Sequence, residues 1–145
     1  MYLAGVILLM LVLPAASVAV EALRAPAALD LMPLMGKWFT FWGVGVRLFT
    51  AGLMQTFRPQ FTAQSIFAIK DESALAIVRE VGFGNLAMGT LGLVSLAKPE
   101  WVAPAAIAGG LYYGLAGIGH ALQVALVSDL AIFALLAAFV ASPTL

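Results

Sequence analysis

The chain has 145 residues, 63% of them hydrophobic and only 10% charged, against about half apolar and a quarter charged in soluble domains. Seven Lys+Arg balance seven Asp+Glu, so the basic excess that meets phosphate is missing and nucleic acid is excluded as a partner. With no cysteine and one histidine, His120, disulfides, iron–sulfur clusters, thiolate zinc sites and any site needing two imidazoles are excluded as well.

Crossing about 30 Å of hydrocarbon takes roughly 20 helical residues, and several apolar runs reach that length. The first covers 2–23, uncharged up to Glu21 and followed by Arg24, Pro26 and Asp30. A cleaved secretory signal is the alternative, with Ser17-Val18-Ala19 as its small-residue site, but the start of the chain lacks Lys or Arg and the apolar stretch is long. Residues 25–37 read as a proline-containing connector. Trp38, Phe39, Phe41 and Trp42 then supply the aromatic belt at which a second span, 38–57, enters the interface. Residues 58–72 mix Phe61, Ile66, Phe67 and Ile69 with polar side chains, which suits a short amphipathic piece at the interface. A third span, 73–96, is closed by Lys98-Pro99-Glu100-Trp101. Residues 102–141 are too many for one crossing, and the polar cluster His120, Gln123, Ser128 and Asp129 divides them into spans 102–119 and 124–141.

The expected fold is therefore all-α, a polytopic transmembrane helical bundle of five helices forming a single integral membrane domain, 1–145. Four spans, with a re-entrant C-terminal piece or a long tilted helix, are the alternative. Arg24, Lys37 and Lys98 on one side against Arg58 and Lys70 on the other give a slight lean to an outside N-terminus.

Polar residues inside the spans carry the most information, because a charge at membrane depth costs at least a few kcal/mol and rarely faces lipid. Arg47 shares a helical face with Gly36, Thr40, Gly43, Thr50, Ala51 and Met54, a strip that suits a protein-facing or cavity-facing surface. In the third span Gly82, Asn85, Gly89 and Gly92 recur at spacings of three and four. They predict a close-packing seam with Asn85 hydrogen-bonding across it. Glu80 falls on the opposite side with Ala76, Gly84 and Ala87, and Arg79 between the two faces, so this helix is expected to be flanked on both sides. Arg47 and Glu80 are the expected ion pair, either fixing helix register or working in a site. Further on, Gly109, Tyr113, Gly117 and His120 share a face. That face fits helix packing through its glycines, or a flat ligand with His120 as proton relay or hydrogen-bond donor.

No two of His120, Glu80, Asp129 and Glu100 stand at a metal-ligand spacing on one helix. Gly43 and Gly45 lie in an apolar span without the strand a nucleotide fingerprint requires. Neither a metal, a cofactor nor a catalytic residue is expected, and the chain does not read as an enzyme.

The stretch Arg79-Glu-Val-Gly-Phe-Gly-Asn85-Leu-Ala-Met-Gly89-Thr-Leu-Gly92, with Phe57-Arg-Pro-Gln-Phe-Thr before it and Gly117-Ile-Gly-His120 after it, resembles an uncharacterised family of small bacterial multi-pass membrane proteins. More loosely, the chain resembles DoxX-like four-helix membrane proteins. The resemblance implies a helical membrane fold in the bacterial inner membrane, with the lipid bilayer around it, and implies no activity. Two functional readings stand. One is a structural or accessory bundle assembling as a homo-oligomer or within a larger membrane complex. The other is an intramembrane polar cavity in which Arg47, Arg79, Glu80, Asn85, Tyr113 and His120 bind or move a solute, lipid or quinone.

Overall fold

Long aliphatic runs leave few side-chain partners for backbone N–H and C=O groups, so the backbone satisfies itself as helix. A computed structural model describes residues 2–24, 30–66 and 69–122, the side chains of residues 2 and 120–122 excepted. Every regular element among them is helical.

Helix α1 is built from Tyr2–Ile7, a π-helical stretch Leu8–Val12 and Leu13–Arg24. The wide turn directly precedes Pro14, whose ring and missing N–H would clash with a regular α ladder. Helix α2 joins Leu31–Phe39, a second π-helical stretch Thr40–Val46 and Arg47–Phe57. It starts well before the expected Trp38, so residues 31–37 are helix and not connector. Asp30 accepts a hydrogen bond from Met32 N–H at 3.3 Å, and Pro33 falls in the first turn, where its missing N–H has no partner to lose.

A short helix α3, Pro59–Phe61 with π-helical Thr62–Ile66, occupies the expected amphipathic segment. Its buried side is Pro59, Thr62 and Ala63, while Phe61 and Ile66 face outward. Helix α4 covers Ala74–Val94, and its last turn is closed by Ser95 Oγ donating to Gly92 O at 2.7 Å. Helix α5 begins as a 3-10 turn, Pro99–Trp101, and continues as Val102–Leu122, past the expected end at Gly119. The expected span 124–141 lies outside the described residues.

The chain divides into two compact units, residues 1–109 and 110–145. In the first, α2 is the hub. Contacts of Glu21 with Lys37 and of Ser17 with Trp42 set α1 antiparallel to it. Gly36 beside Val102 and Val44 beside Gly109 set the start of α5 parallel to it. Helix α4 runs antiparallel against the other flank, with Gly45 on Gly92, Phe49 on Gly89 and Thr56 on Gly82. Leu48, Val44, Val78 and Ala105 fill the space between. In the second unit, the rings of Tyr112 and Tyr113 pack edge-on at 5.8 Å.

Candidate functional site

Glycine at the contact positions brings the backbones of α2 and α4 together without intervening side chains. A methyl group added at Gly52 would lie 2.7 Å from Leu86 N, and one at Gly45 would lie 2.8 Å from the Gly92 carbonyl carbon. Gly82, Asn85, Gly89 and Gly92 are all buried in this seam, as their spacing predicts. Among the described residues the opposite face is not flanked: Ala76, Glu80, Gly84 and Ala87 are exposed, so there α4 packs through one side.

At the lower end of the seam lies a small polar cluster. Asn85, 2% exposed, donates from Nδ2 to Gln55 Oε1 at 2.7 Å. Asn85 Oδ1 and Thr56 Oγ1 are buried without a hydrogen-bond partner among the described residues, each at a cost of about 1–3 kcal/mol. Arg79 lies on the surface beside them, its Nε 3.4 Å from Thr56 O. That carbonyl belongs to the last turn of α2, where the helix end favours a cation. Gln55 also borders a groove of about 290 Å³ walled by Ile69, Ile77, Val78 and Val81.

Arg47 and Glu80 do not meet. The antiparallel register sets Arg47 level with Leu91, between the Gly45–Gly92 and Phe49–Gly89 contacts, while Glu80 lies beyond the Thr56–Gly82 level. At 1.5 Å per residue they stand about 16 Å apart along the axis. Arg47 is half-buried and Glu80 exposed. Nor, among the described residues, does α2 pack against α4 through its Arg47 face. Thr40 and Gly43 of that stripe are buried, but Thr50 and Met54 are exposed, and the contact continues through Val44, Gly45, Leu48 and Gly52. Each π turn takes about one residue more than an α turn, so the stretch Thr40–Val46 rotates the contact line away from the stripe that a uniform 3.6 spacing implies.

Gly109 is buried against the Val44 side chain. Gly117 is exposed, with open space beside it among the described residues, so it forms no seam there. Tyr113 is half-buried in the second unit, and the His120 side chain lies outside the described residues. Among the described residues no three His, Cys, Asp or Glu side chains gather as a metal site would need.

A second polar cluster, which the sequence reading missed, joins α1 to α2. Glu21 accepts from Lys37 Nζ at 3.0 and 2.8 Å and from Trp38 Nε1 at 2.8 Å. One turn earlier, Ser17 Oγ accepts from Trp42 Nε1 at 3.0 Å. The Lys37 ammonium also sits 4.9 Å from the Trp38 ring centroid, within cation–π range. Glu21 to Lys37 is the salt bridge found among the described residues. The available signal was the solitary Glu21 in an apolar helix, which needs a partner, and Lys37 is the next lysine in the chain. A groove of about 360 Å³ opens beside this clamp, from Leu13 and Val20 to Glu21, Arg24 and Trp38.

Glycine-seamed helices with internal polar clamps define a small helical bundle, in which two helices, Leu3–Arg24 and Pro99–Gly119, are long and apolar enough to cross a membrane. The chain belongs to a family of unknown function (DUF6790), whose model matches residues 4–142. No curated protein and no solved structure matches it.

Proposed function

We propose that the protein is a small multi-pass protein of the bacterial inner membrane, a structural or accessory bundle that assembles with itself or with a larger membrane complex. The carrying observation is the exposure of its two most apolar helices. Only 6% of the apolar window in α1 and 11% of that in α5 is buried inside the protein, where the core helix of a soluble domain would be mostly covered. Leu3, Leu11, Leu23, Ile107, Leu111 and Leu115 all face outward, an apolar exposure of a kind that soluble monomers rarely carry.

Helices α2 and α4 carry Arg47, Gln55, Arg79, Glu80 and Asn85 and are correspondingly less apolar. Their seam buries Asn85 and bonds it to Gln55, as polar residues of membrane helices are expected to be held. A close glycine seam with an Asn85–Gln55 hydrogen bond across it supports assembly. The cavity reading draws less support from the first unit, where Arg79 and Asn85 flank Thr56 and Gln55 but Arg47 and Glu80 lie apart.

Membranes of cells making the tagged protein, washed with alkaline carbonate, test the location. The protein is expected to stay in the pellet and to leave it only with detergent; release by carbonate overturns the membrane reading. Native mass spectrometry of the detergent extract then reads assembly. A homo-oligomer or a co-purifying subunit is the expected result, and a bare monomer overturns the accessory role.

A further inference from the structure

The groove beside the α1–α2 clamp changes character along its length. Leu13 and Val20 give it an aliphatic floor, and Glu21, Arg24 and Trp38 give it a charged and aromatic mouth. From Leu13 to Arg24 the helix rises about 16 Å, the span of a polar headgroup with the upper part of one hydrocarbon chain. The volume of about 360 Å³ is at the lower end of ligand pockets, which run from roughly 300 to 1,000 Å³, and suits one chain better than two.

Charge at the mouth selects the headgroup. Glu21 is spent on Lys37, which neutralises it, and on the Trp38 indole. Asp30, the next acid in the chain, is engaged with the Met32 N–H. Arg24 is exposed and makes no ion pair among the described residues. Among the described residues Glu21, Lys37 and Arg24 together leave one net positive charge, with the exposed Arg24 guanidinium at the end of an apolar trough and an indole beside it of the kind that sits at headgroup level. A guanidinium matches phosphate oxygens in a two-pronged geometry.

From this we infer that the groove is a binding site for an anionic phospholipid, its acyl chain along Leu13 and Val20 and its phosphate on Arg24. The inference rests on the membrane reading above. The site holds the lipid at the seam between α1 and α2, so the lipid acts as a third partner in the clamp.

The full-length protein, reconstituted in phosphatidylcholine nanodiscs doped with phosphatidylglycerol and then gently delipidated, is examined by native mass spectrometry. Wild type is expected to retain one phosphatidylglycerol per chain. Arg24→Gln is expected to lower that retention about fivefold, the effect of one basic side chain near an anionic headgroup, while Arg24→Lys keeps most of it. Val20→Trp fills the trough and is expected to abolish retention with helix content unchanged. Lys98→Gln, outside the groove, leaves it intact.

Equal retention of phosphatidylcholine and phosphatidylglycerol, or equal retention by wild type and Arg24→Gln, overturns the site. Displacement of the lipid by millimolar inorganic phosphate overturns the role of the acyl chain. A protein that resists carbonate but retains no lipid sinks this inference alone, whereas carbonate release sinks the membrane reading itself.

Discussion

A single methyl group distinguishes the glycines of this protein. At Gly89 an added methyl runs into the main chain of Phe49, which has no rotamer to change. Gly89→Ala is therefore expected to destabilise the bundle by about 1–3 kcal/mol, the usual cost of overpacking. At Gly84, five residues earlier on the open face, nothing lies within 4 Å. There Gly84→Ala should stabilise by up to about 1 kcal/mol through helix propensity alone. Reversible unfolding of both variants in detergent micelles measures the contrast, and equal effects would dissolve the seam. The amide pair is tested by a double-mutant cycle of Gln55→Ala and Asn85→Ala, with an expected coupling of about 0.6 kcal/mol and no more than about 1.7. The glycine and Asn85 positions were legible because α4 is regular from end to end, so a spacing of three and four residues maps directly onto one face. Gln55 was not, because its orientation depends on the phase of a different helix.

Along whole elements, regularity decided what could be read. Helix α2 contains the π-helical stretch Thr40–Val46, and every face assigned by a constant 3.6 spacing slips beyond it. Arg47, the clearest functional candidate by sequence, was placed on the packing face for that reason. The beginning of α2 was missed because Pro33 reads as a breaker, although in a first turn it is harmless. Helix α1 was recognised by length and hydropathy, and its outer surface carries the sharpest element-level test. Leu11 is 59% exposed and Leu115, on α5, is 69% exposed. On a water-facing surface Leu11→Arg would change stability by less than about 0.5 kcal/mol. Facing lipid it is expected to cost about 2.5–3.5 kcal/mol of insertion. A glycosylation-based insertion assay of α1 with and without the substitution reads the difference, and full insertion of the arginine variant would contradict a lipid-facing surface.

For the molecule as a whole, the directions of the helices are the feature that function must respect. Helices α1 and α4 run against α2, and the start of α5 runs with it. In a membrane this order puts Asp30 and the turn at Lys98 on one side and Gln64 on the other. The natural chain has no cysteine, so single cysteines report without interference. Asp30→Cys and Lys98→Cys should react with an impermeant maleimide from one side of sealed vesicles, and Gln64→Cys from the other; labelling of all three from one side would refute the topology. The sequence could supply helix lengths but not this hub arrangement, because the contacts that create it pair residues far apart in the chain. The glycine seam has a last consequence, in the history of the protein and not in its mechanics. Where main chain rests on main chain, neither helix can admit a larger residue unless the other yields at the facing position. Substitutions along α2 and α4 should therefore arise in matched pairs across Gly45 and Gly92, Phe49 and Gly89, and Gly52 and Gly82, leaving a record of covariation in descendants of this chain.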